Sequence, residues 1–131
     1  MATFEKTCGM KKLLLLAIAV TGISTFTSAQ VKRTSQTVTI QTPTVQCESC
    51  KKRIEESLKR EDGIVKSNVD FKKHVTKVTY YTDRTNAENV KAAIANAGYD
   101  ADDVKAEGDA YKKLPKCCKK PEDGGGSGEH H

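Results

Sequence analysis

The sequence predicts an α+β sandwich in which two helices pack on a four-stranded antiparallel sheet. Two observations lead to this fold class. The spacing of apolar residues over 36–107 changes between that of a strand and that of a helix, in the order strand, helix, strand, strand, helix, strand. A short corner separates the two central strands, which makes them an antiparallel hairpin. A chain of 131 residues has room for one such domain.

The first strand and the first helix differ in their periodicity. Residues 37–41 alternate apolar and polar side chains, as a half-buried strand does. Cys50, Ile54 and Leu58 then recur at intervals of four and share one face of a helix. Gly63 marks the end of this helical segment.

The second half of the pattern begins with the hairpin. Residues 65–71 and 75–81 alternate in the strand period on either side of a corner at 72–74. A second helix follows, with its apolar stripe ending before Gly98. Residues 101–106 can supply the fourth strand.

The first 29 residues are predicted to be an upstream extension and a signal peptide. Lys11 and Lys12 precede a short apolar run at 13–20, and small residues end at Ala29. The apolar run is short for a membrane span, which needs about 20 residues. We therefore expect cleavage near Ala29 and export to the periplasm or the outside, with a retained anchor as the alternative.

The remaining segments frame the domain. Residues 30–35 are predicted to be a loose linker, and residues 108–131 a flexible tail that contains cysteines and becomes rich in Gly and Ser.

The formal net charge is +5 with both signs interspersed. Because nucleic-acid binding needs a basic face with stacking aromatics, we expect no nucleic-acid partner. We expect a monomer.

Cys47 and Cys50 carry the most informative chemistry in the sequence. They flank the junction between the first strand and the first helix, where unpaired N–H groups favour a thiolate. Lys51 and Lys52 add positive charge nearby. Thiolates select soft ions over magnesium or calcium, so the pair is predicted to bind a soft cation.

Two other uses of this cysteine pair stay open. A thiol-disulfide oxidoreductase would use Cys47 as nucleophile and Cys50 as resolving thiol. That motif is usually accompanied by aromatic residues or proline, whereas Glu48-Ser49 lies between these thiols and the chain has no Trp. A structural disulfide is the third possibility in an exported protein.

Residues 36–107 resemble the heavy-metal-associated domain, a ferredoxin-like family. It includes copper chaperones, N-terminal modules of metal-transporting ATPases and periplasmic mercury-binding proteins. The exported form is most similar to the last group. The resemblance rests on four segments, at residues 45–50, 65–71, 75–81 and 95–99.

The resemblance also implies roles for residues around the thiols. It places Tyr99 beside the second thiolate, as a shield for the metal, and brings His74 near enough to be a third ligand. The family usually has Gly-Met where this chain has Thr44-Val45, so Val45 is expected to replace the inward-packing methionine. A plain core-edge tyrosine and a solvated histidine are the simpler readings.

Cys117 and Cys118 form a second pair in the tail. Adjacent cysteines rarely bond to each other because the dihedral strains the peptide between them. They could form an auxiliary soft-metal site, alone or with Cys47 and Cys50, or a disulfide with another cysteine.

These expectations combine into one functional prediction. The chain is not an enzyme but a metal chaperone or scavenger that carries Cu(I) or Hg(II), with Zn(II) possible. Two thiolates suit the first two ions, whereas Zn(II) prefers four ligands. The expected partner is a membrane metal transporter or a metal-transporting ATPase, which takes the ion by thiolate exchange.

Overall fold

The computed structural model describes residues 33–126, and these residues contain a three-stranded antiparallel sheet. Its strands are β1 (Ser35–Gln41), β2 (Ile64–Asp70) and β3 (Val75–Tyr81), in the order β1-β3-β2. Val38 pairs with Val78 between β1 and β3, and Ser67 pairs with Val78 between β2 and β3. The central strand β3 therefore connects the two halves of the sheet.

Two long helices share one hydrophobic core with the sheet. Helix α1 (Glu48–Lys59) buries Cys50, Ile54 and Leu58, as their spacing predicted. Helix α2 (Ala87–Asn96) begins after Asn86, whose side chain accepts a hydrogen bond from the N–H of Asn89. That cap satisfies one of the N–H groups left unpaired at a helix start.

A bulge in β2 alters one part of the predicted hairpin. The pairing with β3 shifts between Ile64 and Lys66, so the intervening Val65 leaves the core face and is 48% exposed. Val69, further along the strand, is buried. The hairpin is present, but a bulge changes which residues face inward.

The prediction of a fourth strand at residues 101–106 is wrong. Ala101 and Val104 exchange both backbone hydrogen bonds with each other at 2.9 Å, which closes a tight turn. Asp102, with φ 52°, joins this turn to β1 by two hydrogen bonds with Gln41. Because the backbone groups are used inside the turn, the segment touches the end of β1 instead of extending along it.

The tail differs from the expected flexible segment over most of its described length. Helix α3 (Gly108–Lys112) is followed by single 3-10 turns at Lys116–Cys118 and Pro121–Asp123. Leu114 and Cys118 are buried and belong to the hydrophobic core. Apolar burial explains why this stretch folds back on the sandwich.

Gly98 makes that close packing possible. It ends α2 with φ +97°, and a Cβ at this position would lie 3.1 Å from backbone atoms of Ala110 and Tyr111. A side chain here would therefore meet both an unfavourable backbone conformation and the backbone of α3.

Several predictions lie outside the described residues. They are the signal peptide and its cleavage after Ala29, the first half of the 30–35 linker, and the end of the tail at 127–131. Within residues 33–126, no helix has the length and apolar character needed to cross a membrane.

Candidate metal centre

The loop before α1 is held by buried hydrogen bonds. The hydroxyls of Thr42 and Thr76 lie 3.0 Å apart, and the N–H of Thr42 donates to the carbonyl of His74 at 2.8 Å. Thr44 Oγ1 accepts from the N–H of Asp100 at 3.0 Å. These contacts fix the loop between the sheet and the segment that follows α2.

The loop presents two thiols at the start of α1. Cys47 lies at the N-cap position, and its carbonyl accepts the hydrogen bond from Lys51 that closes the first helical turn. Cys50 lies within that turn and is fully buried, whereas Cys47 is half-buried. Their Sγ atoms are 3.3 Å apart. Both sulfurs can therefore contact a single ion.

The folded tail adds a third sulfur to this pair. Cys118 Sγ lies 2.6 Å from Cys50 Sγ and 3.9 Å from Cys47 Sγ. All three ligand atoms lie within 4.8 Å of one another. A metal site needs several His, Cys, Asp or Glu side chains whose ligand atoms lie close together. Among the described residues, these three cysteines are the one such group of three or more.

The tail also contacts the loop through its backbone. Gln46 Nε2 donates to the carbonyl of Lys119 at 3.2 Å, and Cys47 Sγ donates to the carbonyl of Cys117 at 3.7 Å. Contacts therefore reach the loop from both sides of Cys118.

The pKa of Cys50 is lowered from 9.0 to about 5. The largest cause is the hydrogen bond from the Cys118 thiol, which stabilises the Cys50 thiolate; the backbone N–H groups of Gln46 and Cys47 act in the same direction, against burial. The predicted effect of Lys51 and Lys52 is not among these main causes. Hydrogen bonding therefore supplies most of the stabilisation of the Cys50 thiolate.

The other two thiols of the group hold their protons more tightly. Burial raises the pKa of Cys47; the backbone N–H of Cys50 opposes this effect, and the Cys50 side chain adds to it. The hydrogen bond to Cys50, together with burial, raises the pKa of Cys118. At neutral pH the three sulfurs thus carry one negative charge, centred on Cys50, with the other two as thiols.

Tyr99 is fully buried beside these sulfurs. Its hydroxyl has no hydrogen-bond partner among the described residues. Burial raises its pKa, and the neighbouring Cys118 thiol and Cys50 thiolate add to that effect, so the phenol stays neutral and keeps a proton to donate. Val45 is also fully buried and contributes to the core beneath the loop.

Some predicted site residues lie apart from the sulfurs. His74 is exposed, and its Nδ1 lies 2.9 Å from the carbonyl of Val45, so this ring nitrogen contacts the loop backbone. His74 does not belong to the group of three ligand atoms. Cys117 also lies outside it, with its Sγ 3.9 Å from that of Cys118.

The sequence left open whether the tail reaches the metal loop, and the residues that hold the tail there were not predicted. The available signal was Leu114, an apolar residue three positions before the cysteine pair. Its place in the core brings Cys118 to the loop.

Comparisons with known proteins identify the family. A model of the heavy-metal-associated domain matches residues 39–100. The mercuric transport protein periplasmic component of Shewanella putrefaciens is 32% identical over 90 residues, covering 69% of this chain and 93% of the relative. The chain belongs to the heavy-metal-associated domain family. The resemblance predicted from the sequence is thereby confirmed.

Solved structures agree with a heavy-metal-associated domain. Oxidized MerP from Ralstonia metallidurans CH34 matches with a TM-score of 0.50 and 28% identity, over 52% of this chain and 94% of that one. A putative copper-ion-binding protein from Bacillus anthracis str. Ames matches with a TM-score of 0.50 and 25% identity, over 53% and 97%. The ferredoxin-like class is confirmed, with three strands in place of four.

The family match ends before the third sulfur. Residues 39–100 include Cys47 and Cys50, whereas Cys118 belongs to the tail that follows the matched region. This heavy-metal-associated domain thus combines the cysteine pair of the matched region with a thiol from beyond it.

Proposed function

We propose that the chain binds a soft cation between Cys47 and Cys50 and carries it in metal transport or homeostasis. The observation behind this proposal is the placement of two sulfurs 3.3 Å apart at the start of α1. Mercuric transport proteins and a putative copper-binding protein are among the relatives, which favours Hg(II) or Cu(I) as cargo.

The charge of the site suits such an ion. Two thiolates on Cu(I) carry a net charge of −1, and the start of α1 directs partial positive charge towards them. Lys51 flanks the same turn. Because Cys50 already has a lowered pKa, binding requires the loss of only one further proton from this pair.

The same thiols do not suit an oxidoreductase that uses Cys47 as its nucleophile. Such a nucleophile needs a lowered pKa, because the thiolate is the reactive form. Here the pKa of Cys47 is raised, and the lowered one belongs to the fully buried Cys50. This distribution favours metal binding over thiol-disulfide exchange.

The proposal also includes export of the protein and transfer of its ion to an acceptor. A periplasmic relative and the signal-like residues 1–29 support a role outside the cytoplasm. We expect the ion to pass to a membrane metal transporter or ATPase by exchange, in which an acceptor thiolate binds the ion as one donor sulfur leaves. Half-buried Cys47 is the accessible sulfur for the first exchange.

Metal titration of the reduced protein tests this proposal. Under anaerobic conditions we expect tight uptake of Cu(I) or Hg(II) by the wild type and a loss of at least about 100-fold in affinity for Cys47→Ser/Cys50→Ser. Such a loss corresponds to about 2.7 kcal/mol, a modest value for removing two direct ligands.

The matched control is Cys117→Ser, which changes a cysteine outside the group of three. It should bind like the wild type. Equal affinity of the double serine variant and the wild type would contradict the proposal, and insulin reduction at a rate comparable to that of a thioredoxin would favour the oxidoreductase.

A further inference from the structure

Cys118 occupies a position that a flexible tail would not maintain by chance. Its side chain is fully buried, and its Sγ contacts the sulfurs of both Cys50 and Cys47. The N–H of Cys118 donates to the carbonyl of Pro115 at 2.9 Å, which closes a 3-10 turn around it. Backbone geometry thus directs this side chain inward.

The segment before Cys118 is anchored to the sandwich. Glu107 caps α3 with its carboxylate, and its own N–H donates to the carbonyl of Ala95 at 2.8 Å. Leu114 then buries its side chain in the core. Together these contacts bring the chain from the end of α2 to the metal loop.

The segment after Cys118 is anchored as well. Tyr111 donates from its hydroxyl to Asp123 at 2.6 Å and accepts from the N–H of Lys120 at 2.8 Å. The ammonium group of Lys120 lies 3.8 Å from the buried carboxylate of Asp100. Cys118 is therefore fixed on both sides along the chain.

We propose that Cys118 is the third ligand of the cation, which makes the cargo site a three-thiolate site closed by the tail. This inference rests on the proposed function of Cys47 and Cys50 and adds a residue from outside the family match. Each coordinating sulfur that is still protonated releases its proton to solvent as its bond to the ion forms, and no electrons are exchanged.

One side of the sulfur triangle already has the length expected for a planar three-thiolate site, and the other two sides are shorter. With metal–sulfur bonds of about 2.3 Å, a planar three-coordinate ion separates its sulfurs by about 4 Å. The Cys47–Cys118 distance is already 3.9 Å. On binding, Cys50 and Cys118 separate by about 1.4 Å from their present 2.6 Å, and Cys47 and Cys50 separate by about 0.7 Å from 3.3 Å. Both changes are within reach of side-chain rotation.

Two further features suit a three-thiolate complex. The unpartnered hydroxyl of Tyr99 lies beside Cys118 and Cys50 and can donate to a bound thiolate. Three thiolates on Cu(I) carry a charge of −2, and the tail supplies basic residues on both sides of Cys118. These are Lys116, Lys119 and Lys120.

Counting the sulfurs around bound Cu(I) tests the inference. The reduced protein is loaded with one equivalent of Cu(I) under nitrogen in a thiol-free reductant, and X-ray absorption gives the number of sulfur neighbours. We expect three for the wild type and for Cys117→Ser, and two for Cys118→Ser. We also expect Cys118→Ser to bind Cu(I) at least about tenfold more weakly, since even outer-shell partners contribute about 10–100-fold.

The outcomes separate this inference from the proposed function. Two sulfurs in the wild type, or equal affinity of Cys118→Ser and the wild type, would overturn the third ligand and leave the Cys47–Cys50 pair intact. No uptake by any variant would overturn both. A Cys50–Cys118 disulfide that persists under the reductant would also overturn the third ligand. Cys118→Ala, with its fold checked by circular dichroism, replaces the serine variant if that one does not fold.

Discussion

At the scale of single residues, one negative charge among three sulfurs defines the site. The sequence predicted a stabilised thiolate from the helix start and from Lys51 and Lys52. In the structure the largest cause of the lowered Cys50 pKa is the thiol of Cys118, 68 positions away in the chain. Local sequence could not supply that cause, because it depends on where the tail folds.

This assignment predicts the pH dependence of Cys50. Thiolate absorbance of the metal-free, reduced protein should show one group titrating near pH 5. Cys118→Ala should move that midpoint upward, towards 9.0, because it removes the main hydrogen-bond donor. Cys117→Ser is the control and should leave the midpoint near 5.

The lowered pKa of Cys50 also makes the stability of the metal-free fold depend on pH. Because the Cys50 pKa is lower in the folded state than in the unfolded state, ionisation of Cys50 stabilises the fold. This contribution is complete at pH values above 9.0, the pKa of the unfolded state, and it is lost as the pH falls through about 5. A midpoint near 9 in the wild type would show that Cys118 does not donate to Cys50.

At the scale of secondary structure, periodic segments were predictable and irregular ones were not. The two long helices and three of the four strands follow from their own apolar spacing. The segment at 101–106 has apolar residues at compatible positions, but a turn between Ala101 and Val104 satisfies its backbone groups locally. Its actual conformation depends on the contact with Gln41, which sequence spacing does not encode.

The burial of Leu114 in the core leads to a prediction about the tail. Leu114→Ala should lower the free energy of unfolding by about 2–5 kcal/mol, because a buried leucine is replaced by a cavity. It should also weaken Cu(I) binding, because Leu114 helps to hold the tail that carries Cys118 against the core. Denaturant unfolding and metal titration measure the two effects.

The exposed neighbour Lys113 provides the control for that experiment. Lys113→Ala should change the stability by no more than about 0.5 kcal/mol, since it alters no buried contact. If Leu114→Ala had an equally small effect, the tail would not be packed against the core in solution.

At the scale of the whole molecule, the site exists only when distant segments meet. The sulfurs come from the loop before α1, the first turn of α1 and the tail. The sequence predicted the first two because they lie within one short motif. It could not place the third, because Leu114 and Cys118 join the core through contacts with no local pattern.

Metal binding should therefore stabilise the entire fold. At free Cu(I) one hundred times the Kd, binding to the folded state adds about 2.7 kcal/mol. For a domain of this size that raises the Tm by roughly 10–20 °C. Thermal unfolding of Cys47→Ser/Cys50→Ser with and without Cu(I) gives the comparison, and a similar rise there would indicate binding elsewhere.

The contacts of the tail limit where the chain can be truncated. A fragment cut at residue 107 retains every residue in the family match yet lacks Leu114 and Cys118, two members of its own interior. Such a fragment leaves the Gly98 surface uncovered and has two sulfurs where the intact chain has three. Recombinant work on the cargo site therefore needs a polypeptide that extends at least through Asp123, which receives the hydrogen bond from Tyr111.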